Sequence, residues 1–138
     1  MDAIEKTLEL EASPERVWRA LTDAAELARW FPDDGAQLEA FPGGCGWLSW
    51  EAHGRFALEV VVFEPPRRLA WRWSHQPDRP VGDGPSTLVE WTLTPREGGG
   101  TLLELRESGF LTEKHRQENT GGWEHELGEL VDYLGRAA

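Results

Sequence analysis

Tryptophan and one glutamate are the residues of this chain whose types and spacing could serve chemistry. Trp71 and Trp73 are two positions apart, so they share one face of any strand that contains them, and Trp91 falls in the next apolar segment. Indole rings provide wide apolar walls and one N–H donor, which suits an aromatic or polycyclic ligand. Each ring alone could simply fill the core. Because the chain has eight tryptophans, and such broad rings pack poorly without voids, we predict a cavity.

Glu107 is the polar residue best placed to act on a molecule in that cavity. On the segment 103–107 it alternates in phase with Leu103 and Leu105, so it points into the groove or at its mouth if those two are core residues. Apolar surroundings would raise its pKa, and the carboxyl could then donate to a ligand or move a proton. A solvated strand end or an arginine partner is the alternative. We expect ligand contact and keep Glu107 only as a weak catalytic candidate.

No other group of residues forms a catalytic pattern. His125 and Glu126 match part of a helical zinc motif but lack the second histidine one turn later. The single cysteine, Cys45, lies in a glycine-rich turn without a base beside it, and His53 and His75 are expected to be exposed. We therefore expect no metal and no cofactor.

Composition narrows the classes of partner. The net charge of −11 repels phosphate backbones and anionic bilayers, so nucleic acid and membrane are both disfavoured. Arg67, Arg68 and Arg72 form a local basic cluster, which we interpret as a solvated strand edge. No apolar run approaches the ~20 residues of a membrane span, and the first residues do not resemble a signal peptide. A cytoplasmic location is the simplest expectation.

A helix is predicted at the C-terminal end of the chain. Trp123, Leu127, Leu130, Val131 and Leu134 recur at the spacing of one helical face. The preceding Gly121–Gly122 pair would let the chain turn sharply into this helix. We expect Trp123 to be buried against a sheet.

The sheet and two smaller helices are predicted from alternation and capping. Leu8 and Leu10 face inward on a first strand, and Ser13 with Pro14 begins a short helix. Asp23 begins a second helix, which ends before Pro32. Six more strands are expected at residues 36–41, 47–52, 55–64, 68–74, 87–94 and 101–108, and the seven together predict an antiparallel meander.

Two local questions stay open at this point. The segment 76–85 is longer than a hairpin needs and is either a lid over the cavity or a surface loop. The inward face of strand 55–64 is undecided because its apolar run hides the alternation, so the role of Glu59 is open as well. The 138 residues are expected to form a single domain, 1–138.

The chain resembles the bacterial single-domain group of the HSP-90 ATPase activator homologue-like family, within the SRPBCC, START and Bet v 1-like superfamily. The matching segments run through nearly the whole chain: residues 13–22, Trp30–Phe31, 42–44, 65–69, 108–110, Gly122–Trp123, and Leu127, Leu130 and Leu134. This resemblance implies an α+β helix-grip fold, in which a curved seven-stranded antiparallel sheet holds a long C-terminal helix over a hydrophobic cavity. Two short helices follow strand 1.

The resemblance does not select one function, because members bind lipids, sterols or polyketides, some are enzymes, and the eukaryotic namesake stimulates a chaperone ATPase. We expect a non-enzymatic binder of a small hydrophobic ligand, acting as a monomer or homodimer. A cyclase, dehydratase or hydrolase using Glu107 is the alternative, and a chaperone ATPase activator or other interaction module ranks lowest. The predicted ligand-binding residues are Trp30, Trp71, Trp73, Trp91, Leu103, Leu105, Glu107, Trp123 and Leu127.

Overall fold

A computed structural model describes residues 3–136 and contains the predicted classes of element. In chain order they are β1 (Ile4–Leu10), α1 (Pro14–Thr22), α2 (Ala24–Trp30), β2 (Ala36–Leu38), β3 (Cys45–Trp50), β4 (Gly54–Glu64), β5 (Arg68–Ser74), β6 (Ser86–Pro95), β7 (Thr101–Ser108) and α3 (Glu113–Arg136). The seven strands form one antiparallel sheet, and the helices cover one face of it. The expected α+β helix-grip fold is confirmed.

The two short helices begin where their capping residues predict. The Ser13 hydroxyl accepts a hydrogen bond from the backbone N–H of Arg16 at 3.2 Å, and Pro14 follows as the first residue of α1. The Asp23 carboxylate accepts from the backbone N–H groups of Ala25 and Glu26, at 2.9 and 3.2 Å. Tertiary packing is therefore not needed to explain where α1 and α2 start.

The strand order corrects the expectation of a simple meander. The order across the sheet is β1-β7-β6-β5-β4-β3-β2, so only β2 to β7 form a meander. β1 pairs antiparallel with β7, with Leu8 opposite Leu103. The reason is that α1 and α2 carry the chain from one edge of the sheet to the other before β2 begins.

The observed strand bounds agree best with the predicted ones in the middle of the sheet. β2 is shorter than expected because the chain turns after Leu38, where Glu39 N–H donates to the Cys45 carbonyl at 2.9 Å. Cys45 is thus the exposed first residue of β3 and not a turn residue. On β4, Leu58 and Val60 are buried and Glu59 lies on the opposite face, which answers the question that the sequence left open.

Helix α3 starts ten residues before the predicted position. It begins at Glu113, where the Thr112 hydroxyl accepts from the backbone N–H of His115 at 3.1 Å, and Gly121 and Gly122 lie inside it. The expected sharp turn at these glycines is therefore wrong.

The predicted apolar stripe of α3 holds at four of its five positions. Trp123, Leu127, Leu130 and Leu134 are buried, but Val131 is 44% exposed. Val131 lies about 80° around the helix from Trp123 at 3.6 residues per turn, which takes it outside the stripe.

Candidate ligand-binding cavity

A cavity of about 450 Å³ lies between the sheet and the N-terminal half of α3. Its apolar wall is formed by five aromatic side chains, namely Phe31, Trp50, Phe56, Trp73 and Trp123. We call Ser74, Thr87 and Asn119, which contribute polar groups, the floor. The exposed residues His53, His75, Glu118 and Gly122 mark the mouth, and His115 and Glu126 complete the lining.

The aromatic wall is a continuous set of ring contacts. The Trp123 ring lies 5.2 Å from Phe31, 5.9 Å from Trp73 and 5.5 Å from Trp91, between ring centroids. Trp73 also contacts Trp50 at 5.9 Å. Tilted and edge-on contacts of this kind fix ring orientations. The wall is therefore shaped before any ligand is present.

Of the residues predicted to line the cavity, Trp73 and Trp123 do so. The others lie elsewhere: Trp71, Trp91, Leu103, Leu105 and Leu127 are packed in the core, and Glu107 lies behind the wall. Trp30 packs on Phe31 and donates from Nε1 to the Ala20 carbonyl at 2.8 Å, so it closes the core beside the cavity and lines only a smaller hollow of about 230 Å³.

The geometry of strands explains why Trp73 lines the cavity and Trp71 does not. Residues two apart share a face, but each step of two moves about 6.6–6.8 Å along the strand. Trp71 is opposite Val60 and Val89 in mid-sheet, whereas Trp73 is opposite Leu58 and Thr87 nearer the strand end. Alternation therefore identified the inner face and not the depth at which the core gives way to the cavity.

Glu107 is the buried polar centre behind the cavity, with 0% of its surface exposed. Oε2 accepts from the Thr87 hydroxyl at 2.5 Å, and Oε1 accepts from Trp123 Nε1 at 2.8 Å. The Asn119 amide nitrogen donates to both oxygens at 3.1 Å. Glu107 therefore fixes three residues that line the cavity, on β6 and α3.

The same contacts limit what Glu107 can do itself. Burial raises the pKa of the Glu107 carboxyl above its ordinary value, and the hydrogen bonds from Thr87, Trp123 and Asn119 oppose that rise. An acid or base must reach the proton that it transfers. Since the partners of Glu107 stand between it and the cavity, the structure supports a positioning role for this carboxylate and not direct contact with a ligand.

Two histidines meet at the mouth of the cavity: His75, which the sequence predicts to be exposed, and His115, for which the sequence makes no prediction. The rings of His75 and His115 are stacked, with centroids 3.4 Å apart, and His115 also contacts Phe110 edge-on. Burial, and then the neighbouring His75, lower the pKa of His115 to about 4, against an opposing effect of Glu118. His115 is thus neutral at neutral pH. No sequence signal marked it, because the two histidines are 40 positions apart.

Glu126 is the second carboxyl of the cavity with a displaced pKa. Burial, followed by the negative charge of Glu129, raises its pKa to about 7, while Trp50 opposes the rise and Asp33 adds to it. An ordinary unfolded glutamate titrates near 4.5. Between these two values the folded protein holds a proton that the unfolded chain has released, so this group stabilises the fold below that window and the stabilisation is lost as the pH rises to 7.

We therefore expect Glu126→Gln to raise the melting temperature above pH 7, and this gain to disappear as the pH falls toward 4.5. His115 acts in the opposite direction between 6.5 and 4, because the unfolded chain there takes up a proton that the folded residue refuses. Its contribution cancels when the variant is compared with the parent at each pH in thermal melts. The exposed Asp132→Asn, on the same helix, is the control for removing one surface charge and should change the melting temperature little.

Two further structural findings concern ions and membranes. Within residues 3–136, no group of three or more His, Cys, Asp or Glu side chains is arranged to hold a metal ion. None of the helices in that part of the chain is long and apolar enough to cross a membrane.

The sheet, the long helix gripped against it and the cavity between them define a helix-grip protein. Residues 11–135 match the family described as Activator of Hsp90 ATPase homolog 1-like protein, and the chain belongs to this family. The family resemblance predicted from the sequence is thus confirmed. Among curated proteins, none matches the chain.

Solved structures share the fold over nearly the whole chain. MLL2253 from Mesorhizobium loti is 24% identical, with a TM-score of 0.86 and 99% of each chain covered. DynU16, a protein of the dynemicin biosynthetic locus, is 28% identical, with a TM-score of 0.81 over 98% of this chain and 48% of its own. PFC0360w, an HSP90 activator from Plasmodium falciparum, is 21% identical, with a TM-score of 0.77 and 96% of each chain covered. The first and third show the fold alone.

Proposed function

We propose that this protein binds a small aromatic molecule in the cavity between the sheet and α3, without itself acting on it. The observation that carries this proposal is the cavity of about 450 Å³ with five aromatic residues in its wall. Sites for small molecules usually measure ~300–1,000 Å³ and are mostly apolar, with a few placed polar groups. Ser74, Thr87 and Asn119 are such groups here.

The alternatives have less support. Catalysis by Glu107 would need a substrate within reach of a carboxylate that lies behind three lining residues, Thr87, Asn119 and Trp123. The likeness to an HSP90 activator concerns the fold at 21% identity. DynU16, a structural relative of this chain, belongs to the dynemicin biosynthetic locus, which is compatible with a small-molecule ligand.

Indole N–H resonances provide a direct test of binding and its position. With ¹⁵N-labelled protein, each tryptophan gives a separate signal, and naphthalene- and anthracene-sized aromatics are added in turn. We expect saturable shifts for Trp50, Trp73 and Trp123, which line the cavity, and smaller ones for Trp18 and Trp47, which do not. Shifts spread equally over all tryptophans, or none at any concentration, would argue against a cavity binder.

A glycine at the mouth allows the cavity to be blocked without removing any contact. A Cβ added at Gly122, inside α3, meets no heavy atom within 4 Å, and replacing a helical glycine removes an unfavourable ~0.5–1 kcal/mol. We expect Gly122→Leu to place its side chain in the cavity and weaken aromatic binding at least tenfold, with the melting temperature unchanged or raised. Calorimetric titration with 2-naphthol measures the affinity.

Gly121→Leu is the matched control. Gly121 is the neighbouring helical glycine, has equally open space around its Cβ, and does not line the cavity. It should bind 2-naphthol like the parent protein. If both variants bind equally well, the ligand occupies some other place.

A further inference from the structure

We propose that the floor of the cavity, Ser74, Thr87 and Asn119, presents mainly hydrogen-bond acceptors, so that its preferred occupant is a neutral aromatic bearing hydroxyl groups. This inference rests on the proposed function and specifies the ligand class. It follows from the hydrogen bonds in which the two hydroxyl protons and the amide of the floor are already engaged.

Glu107 accepts the hydroxyl proton of Thr87 and one N–H of the Asn119 amide, which its two oxygens share. A carboxylate can be served only by the NH₂ side of an amide, which fixes the orientation of Asn119. No donor within residues 3–136 contacts the Asn119 carbonyl oxygen, so that oxygen remains for the cavity. Thr87 keeps only its lone pairs.

Ser74, the third floor residue, also has its hydroxyl proton engaged in a hydrogen bond. The Ser74 hydroxyl donates to the Gln76 carbonyl at 3.0 Å, which leaves its oxygen as an acceptor. Of the three indoles in the wall, Trp123 donates its N–H to Glu107, Trp50 interacts with the Glu126 carboxyl, and the N–H of Trp73 is enclosed without a partner in the described part of the chain. A hydroxyl group on a bound molecule therefore meets three acceptor oxygens at the floor, those of Ser74, Thr87 and Asn119.

Charge excludes anionic aromatics from the same space. Glu118 lies at the mouth, Glu126 beside it is partly ionised at neutral pH because its pKa is raised to about 7, and Glu107 is behind the floor. The lining contains no lysine or arginine among the described residues. The chain as a whole carries −11. A carboxylate or sulfonate would meet acceptors and negative charge without a compensating cation, whereas a phenolic hydroxyl can donate directly to the floor.

The test compares three probes of nearly equal shape at neutral pH: 2-naphthol, 2-methoxynaphthalene and 2-naphthoate. One hydrogen bond gained on binding corresponds to about 3- to 10-fold in affinity. We expect 2-naphthol to bind that much more tightly than its methyl ether, and 2-naphthoate to bind weakest. Calorimetry or indole NMR gives the three affinities.

Variants locate the preference in the floor. Thr87→Val keeps the shape and removes an acceptor, so the ratio of naphthol to ether affinity should fall toward one. Glu107→Gln places an NH₂ beside Thr87, frees the Thr87 hydroxyl proton for the cavity, and should shift the ratio toward the ether. Thr92→Val, on the outer face of β6, should leave the ratio unchanged.

The outcomes separate this inference from the proposed function. If all three probes bind with equal affinity, or the ether binds best to the parent protein, the cavity binds aromatics and the inference is overturned. If no probe binds, the proposed function fails and the inference falls with it. The ratio in the parent protein decides the matter even where a variant does not fold.

Discussion

Trp123→Ala is expected to lower the stability of this protein more than any other single truncation in the cavity wall. Trp123 is 2% exposed and contacts Phe31, Trp73 and Trp91. Replacing a buried tryptophan by alanine typically costs about 3–5 kcal/mol, from a total stability of ~5–15 kcal/mol. The variant also leaves Glu107 without one of its donors. Thermal melts should therefore show a decrease of roughly 10–20 °C, and aromatic binding should weaken.

Trp47→Ala is the matched control for this prediction. Trp47 is partly exposed on β3, where its N–H donates to Gln37 and its ring lies under Arg55. Its truncation should cost clearly less, because little of the ring is removed from a packed core. Equal melting temperatures for the parent and Trp123→Ala would show that the inner face of α3 has been misassigned.

Glu107→Leu is expected to be nearly as damaging, although leucine is the more apolar residue. The substitution leaves the Thr87 hydroxyl, the Asn119 amide and the Trp123 N–H without their acceptor in a buried place. A single buried donor left unsatisfied costs about 1–3 kcal/mol. Since two of the three groups can only donate, we expect a loss of about 3–5 kcal/mol, as for broken buried polar pairs. Urea unfolding with a fixed slope measures it.

Glu104→Leu provides the comparison on the same strand. Glu104 is exposed on the outer face of β7, three residues before Glu107, so its replacement should change stability by no more than about 0.5 kcal/mol. Glu107→Gln, which keeps one acceptor oxygen, should fall between the two leucine variants. A Glu107→Leu variant as stable as the parent would mean that the hydrogen bonds around Glu107 contribute nothing to folding.

Local signals in the sequence were enough to predict most of the elements. Ser13 and Asp23 mark the starts of α1 and α2, and the bounds of β5 and β7 agree with the expected 68–74 and 101–108. The start of α3 could not be predicted from periodicity. Its first ten residues cover the cavity and not the core, so they carry no apolar stripe, and Gly121–Gly122 imitates a boundary.

The candidate site was predictable only in part, for a related reason. The burial of Trp123 and the inward face of Glu107 follow from spacing along one element. The floor could not be predicted in this way, because the carboxylate of Glu107 on β7 joins Thr87 of β6 to Asn119 of α3. His115 and Ser74 likewise gain their place only when the helix lies on the sheet. Such pairings depend on tertiary contacts, which alternation and capping do not encode.

The pairing of β1 with β7 has a consequence for the order in which the protein can assemble during synthesis. Leu10 can pair in the sheet only after Thr101 has been synthesised, and Ile4 only after Glu107 has been synthesised. About a hundred residues therefore leave the ribosome while β1 has no neighbouring strand and its apolar side chains remain uncovered. Contacts so distant in sequence slow folding and prolong the exposure of aggregation-prone hydrophobic surface. This exposure of β1 ends once β7 has been synthesised. The same strand carries Glu107, whose hydrogen bonds fix three of the residues that line the cavity.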